Sequence, residues 1–178
     1  MKATAIMLAA MIAVPAFAQT PAPAANPGVD AAKTTWTIMS RYFTAAAEQL
    51  PEADYSFRPV ETVRTAGQLI GHVAGANNMI CAAALGEAQK GEDDIEKTVT
   101  TKAGLVAALK ASNEYCARAY AMTDAASAGR TTLFGQDQSK AFALSLNAAH
   151  VGEHYGNIVT YMRIKGMVPP SSQPRPGQ

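Results

Sequence analysis

Between residues 31 and 165 apolar positions recur at three- and four-residue intervals in four separate stretches, the spacing of one face of an α-helix. The first stretch spans 31–50, with Trp36, Met39, Phe43, Ala46 and Leu50 in phase, and Pro51 stops it. The second begins behind Thr65, an N-cap residue type, and runs to Leu85, where Gly86 supplies a left-handed stop. Its inward row is Leu69, His72/Val73, Ala76, Met79/Ile80 and Ala83. The third starts after Thr100 or Thr101 and carries Leu105, Ala108/Leu109, Ser112, Tyr115/Cys116 and Ala119. The fourth spans 139–165 with Phe142, Leu146, His150, His154, Ile158 and Tyr161/Met162, and Gly166 and Pro169-Pro170 close it. Residues 87–99 read as a solvated polar loop and 123–138 as a Gly/Ser/Thr-rich connection; no strand pattern competes with the helices. Four amphipathic helices of this length predict an all-α fold, a four-helix bundle over 31–168.

The ends have a different character. Met1-Lys2, an apolar run from Ala5 to Val14 and Ala16-Phe17-Ala18 form a cleavable secretory leader, 1–18, too short to span a bilayer. The Pro/Ala-rich segment 19–30 and the proline-rich tail 169–178 are expected to lack regular structure. The expected location is periplasmic or secreted, without stable membrane insertion. The chain has 15 basic and 14 acidic residues and no basic run, so it lacks the electrostatic footprint of a nucleic-acid or anionic-membrane binder. Two cysteines, Cys81 and Cys116, fall in predicted helices; an oxidising compartment favours a disulfide over two separate buried thiols or thiolate ligands.

The chemistry concentrates in the three histidines of the chain. His150 and His154 lie four residues apart and so share a helix face. Both occupy the apolar row of the fourth helix, and His72 occupies that of the second. Two neighbouring imidazoles on a buried row are costly without a common partner. Neutral imidazoles suit zinc, nickel, copper or iron, and three protein ligands leave a coordination position open. His72, His150 and His154 are therefore the candidate metal ligands.

Other residues weigh less. Asn147 lies one turn before His150 and Asn157 close behind His154, where either could orient an imidazole or bind a ligand of the metal. Arg58 could reach the mouth of the site or tie its loop to the bundle. Gly71 and Gly75 flank His72 with the spacing of close packing. The cluster Glu92-Asp93-Asp94 lacks the alternation of a calcium loop and reads as solvated. No Ser-His-Asp or Cys-His set and no phosphate-binding loop is present.

Phe57-Arg58-Pro59, His72 within the second helix and His150-x-x-x-His154-Tyr155-Gly156 in the last resemble the DinB-like superfamily of metal-binding four-helix bundles over 31–168. The ending from Tyr161 to Ser172 is similar to exported members. The resemblance implies one metal-ligating histidine on the second helix and two on the last. It implies a divalent metal, zinc first, with nickel, iron or manganese as alternatives. Some relatives are thiol transferases or isomerases that use bacillithiol, mycothiol or glutathione. The expectation is an exported metal-dependent hydrolase or thiol transferase acting on a small molecule. The alternative is a bundle that binds a metal or small ligand without turnover; a third reading is a structural bundle that forms a homodimer.

Overall fold

The computed structural model describes residues 26–174. The expected leader, most of the segment after it and the last four residues lie outside that range. Four long helices carry the fold: α1 (Pro27–Gln49), α2 (Ala66–Leu85), α4 (Lys102–Ala119) and α6 (Lys140–Ile164). Two short helices, α3 (Asp94–Thr98) and α5 (Asp124–Ser127), and a hairpin of β1 (Arg130–Leu133) and β2 (Gln136–Ser139) fill the connections. α1 packs on α6, α6 on α2, α2 on α4 and α4 on α1, so the four helices close into a ring of neighbours.

α2 is the central member. All of its residues except Gln68, Asn78 and Leu85 are buried, and nine of those seventeen are alanine or glycine. A helix apolar on every side belongs in the core. Thr65 fixes where it starts. Its hydroxyl accepts from the Gln68 amide at 3.2 Å, and Gln68 Oε1 accepts from the Thr65 amide at 2.9 Å, a reciprocal cap. Gly86 ends it at φ 77°. The Cys81–Cys116 disulfide links α2 to α4, with Cα atoms 5.3 Å apart and both cysteines buried.

Several connections depart from the sequence expectation. Residues 27–30, read as disordered, form the first turn of α1. Asp124 holds that turn in place: its carboxylate accepts from the amides of Gly28 at 3.0 Å and Val29 at 2.8 Å, while Asn26 Oδ1 accepts from the Asp124 amide at 2.9 Å. The partner lies nearly a hundred residues away, so no local signal announces it. The 123–138 connection holds an antiparallel hairpin. Its two-residue turn, Phe134-Gly135, has φ 50° and 72°, the left-handed pair that matches strand twist. Residues 87–99 are only partly a loop, since α3 forms and Ile95 packs against the core. In the tail, Pro170–Ser172 make a 3₁₀ turn pinned to α6: the Tyr155 hydroxyl accepts from the Ser171 amide at 2.9 Å and donates to its Oγ at 2.8 Å.

The inward row of α6 also differs from the predicted one. Phe142 is exposed, and the buried face is Ala143, Leu144, Asn147, Ala148, Val151, His154, Tyr155 and Ile158. The row turns slightly from Phe142 and Leu146, which leaves His154 buried and His150 half-buried at its margin. Among the described residues no helix is long and apolar enough to cross a membrane.

Candidate metal centre

The three histidines meet. His72 Nε2 lies 3.2 Å from His150 Nε2, and His154 Nε2 lies 3.0 Å from the same atom. The rings are inclined at 55°, 89° and 81° to one another, so they are not stacked; their Nε2 edges point inward together. Helix phase produces this. The cap at Thr65 places His72 two turns into α2 on the side facing α6. Ser139, whose hydroxyl accepts from the Phe142 amide at 3.0 Å, starts α6 directly after β2 and sets the phase of His150 and His154.

The donor spacing fits a metal ion. Nitrogens about 2.0–2.1 Å from a metal are about 3.3 Å apart at tetrahedral angles and about 2.9 Å apart at right angles. The distances at His150 fall in that interval. Electrostatics agree. Burial, then the neighbouring His154 and His72 and the Arg64 cation, push His150 down to about 3. Burial, then His72 and Arg64, push His154 down to about 4. Both are neutral near pH 7 and present lone pairs without first losing a proton.

The outer nitrogens differ. His72 Nδ1 faces Asp93 Oδ1 at 3.3 Å and Glu96 Oε2 at 3.9 Å. His154 Nδ1 lies 3.2 Å from Asn157 Nδ2. In this orientation the amide donates to Nδ1; turned end for end, its oxygen would instead accept the Nδ1 proton and leave Nε2 free, the arrangement a metal ligand requires. His150 Nδ1 is buried with no hydrogen-bond partner. Asn157 therefore stands where the sequence placed it. Asn147 does not: its side chain faces the disulfide and Tyr120, with Nδ2 3.6 Å from Cys81 Sγ and 3.4 Å from the Tyr120 hydroxyl. Three residues before His150 it is offset by about 60° round the helix, which turns it into the core toward the α2–α4 seam. Arg58 is exposed, and the arginine at the site is Arg64. Arg64 Nε donates to Glu96 Oε2 at 2.9 Å and its Nη2 lies 3.4 Å from Asp93 Oδ1.

Asp93, Glu96 and Arg64 escaped sequence reasoning because the 92–96 segment looked solvated. Partial burial works against ionisation of Asp93, but the His72 hydrogen bond and the Lys97 and Arg64 charges hold its carboxyl below the usual range. The overlooked signal is the pair Gly71 and Gly75, which admits a backbone beside His72. A Cβ on Gly75 would stand 1.9 Å from the Glu92 carbonyl oxygen, and one on Gly71 2.7 Å from Glu96 Cα.

Beside His154 opens a cleft of about 360 Å³, walled by Val63, Arg64, Leu69, Asn157, Thr160 and Tyr161. The Tyr161 hydroxyl donates to the Arg64 carbonyl at 2.8 Å and ties the 62–64 wall to α6. A small molecule entering the cleft meets one edge of the histidine cluster.

Solved structures share this fold. A DinB-like protein from Bacillus cereus aligns with a TM-score of 0.68 at 19% identity, covering 79% of this chain and 95% of that one. A DinB-like protein from Bacillus subtilis gives 0.55 at 20% identity, covering 84% and 99%. A mycothiol-dependent maleylpyruvate isomerase variant gives 0.61 at 16% identity, covering 73% and 60%. At these identities the likeness concerns the fold alone. No curated protein matches the sequence. The DinB superfamily matches residues 35–158, a span that holds all three histidines and most of the bundle, and the chain belongs to that family.

Proposed function

We propose that this is an exported protein in which His72, His150 and His154 hold one divalent ion, with zinc the first candidate and nickel, iron or manganese behind it, and that it acts on a small molecule as a metal-dependent hydrolase or thiol transferase. The observation that carries this reading is the convergence of three Nε2 atoms at metal-ligand spacing. A bound divalent ion supplies Lewis acidity to a ligand that shares it. The chain's own groups do the rest. Asn157 orients His154, Leu69 gives the cleft an apolar wall, and the Tyr161–Arg64 hydrogen bond holds the entrance segment. The leader pattern of residues 1–18 supports export, and a buried disulfide suits an oxidising compartment. Export weighs toward hydrolysis, because the low-molecular-weight thiols of thiol transfer are cytosolic cosubstrates. The fold likeness to a mycothiol-dependent isomerase keeps thiol chemistry in view.

One observation favours the alternative, a site that binds a metal or small ligand without turnover. The cleft offers no free carboxylate or fourth histidine as a proton carrier, since Asp93 and Glu96 face His72 and Arg64. The test is to strip the mature protein of metal, restore it with zinc, and screen ester, amide and thiol substrates in both forms. Turnover that appears only with metal supports the enzyme. Tight zinc binding with no turnover across the screen supports the binding role, and a failure to bind any of zinc, nickel, iron or manganese removes the metal from both.

A further inference from the structure

Two glycines and two carboxylates meet at the outer nitrogen of His72. Because Gly71 and Gly75 lack side chains, the backbone from Glu92 to Glu96 rests directly on α2. That approach sets Asp93 Oδ1 3.3 Å from His72 Nδ1. Glu96 is further, at 3.9 Å, and is engaged by Arg64 Nε at 2.9 Å. Arg64 Nη2 reaches Asp93 at 3.4 Å and Lys97 Nζ reaches its other oxygen at 3.5 Å, so cations hold the carboxylate from two sides.

We propose that Asp93, seated by Gly71 and Gly75 and braced by Arg64, is a positioning residue: it accepts the Nδ1 proton of His72 and thereby leaves the Nε2 lone pair facing the other two imidazoles. A neutral imidazole carries one proton, and an ionised carboxylate can only accept. Placing that acceptor at Nδ1 settles which nitrogen is bare. Partners of this kind fix ring orientation as well as tautomer, and their loss weakens metal affinity about 10–100-fold. The link to affinity rests on the metal reading of the site; the tautomer itself needs no metal.

The experiment therefore has two arms on wild type, Asp93→Ala and the double variant Asp93→Ala/Glu96→Gln, which removes the neighbouring carboxylate that could take over. Asp93 is one-third exposed, so its truncation leaves the core intact. Ring-nitrogen NMR on zinc-free protein reads the His72 tautomer, and zinc titration against a chromophoric chelator reads affinity. Nδ1–H in wild type, a shift toward Nε2–H in the variants and about 10–100-fold weaker zinc binding support the proposal. An unchanged His72 tautomer in the double variant overturns it, whatever the affinity. If wild type takes up none of zinc, nickel, iron or manganese, the metal reading falls, and the tautomer arm alone still decides the role of Asp93.

Discussion

His150 is the imidazole on which the other two converge, and its surroundings leave its polar atoms poorly satisfied. Its Nε2 shares close quarters with two other nitrogens and its buried Nδ1 has no partner. A buried polar atom left unpaired costs about 1–3 kcal/mol, a cost that a shared ligand can offset. Acid exposes the same tension. His150 and His154 are held at about 3 and about 4 when folded, below the 6.5 of a free imidazole. Between these values the unfolded chain takes protons that the native one refuses, so stability is full above pH 6.5 and falls as pH drops. Thermal midpoints of metal-free protein should therefore decline between pH 6.5 and about 5, before carboxylates titrate. A flat profile across that window would contradict the burial described. The helix faces that carry His72, His150 and His154 were legible from spacing and helix phase, as was the place of Asn157 beside His154. Asn147 was not, because one turn of separation does not fix which way a side chain points. Arg64 and Asp93 were invisible because their roles depend on the approach of one segment to another.

At the scale of elements, helix starts and stops were read well where the signal is local. Thr65, Gly86, Ser139 and Gly166 mark ends that capping chemistry dictates. Three of the misses share one cause, a partner distant in sequence. The first turn of α1 depends on Asp124, α3 on glycines of α2, and the tail turn on Tyr155. The hairpin is a different miss, since Phe134 is an unusual residue at positive φ and hides the turn signal. The α2–α3 seat gives a direct prediction. In Gly75→Ala the new methyl meets the Glu92 carbonyl at 1.9 Å, and backbone cannot swing aside as a side chain can. We expect a loss of about 1–3 kcal/mol in chemical denaturation, together with faster amide exchange in 92–98. Unchanged stability and exchange would show that the segment does not rest on α2.

At the scale of the whole molecule, the closed ring of helices needs a firm α2–α4 seam, because α2 holds His72 and packs against both α4 and α6. The disulfide supplies it across a separation of 35 residues. Chain-entropy reasoning assigns such a loop about 4 kcal/mol, so reduction should lower the denaturation midpoint substantially, and alkylation should label Cys81 and Cys116 only after reductant and unfolding. Labelling of native, unreduced protein would mean free thiols. The all-α bundle was legible from periodicity alone, while the closeness of the three histidines required the ring of helices to be assembled. The central claim is that this ring holds a metal. Elemental mass spectrometry on the protein, purified from metal-replete cells beside His150→Ala, tests it most directly. We predict about one equivalent of a divalent ion in the wild type and a large loss in the variant, with the helical circular dichroism of both unchanged. Metal-free wild type, or a variant that retains its full complement, would contradict the assignment.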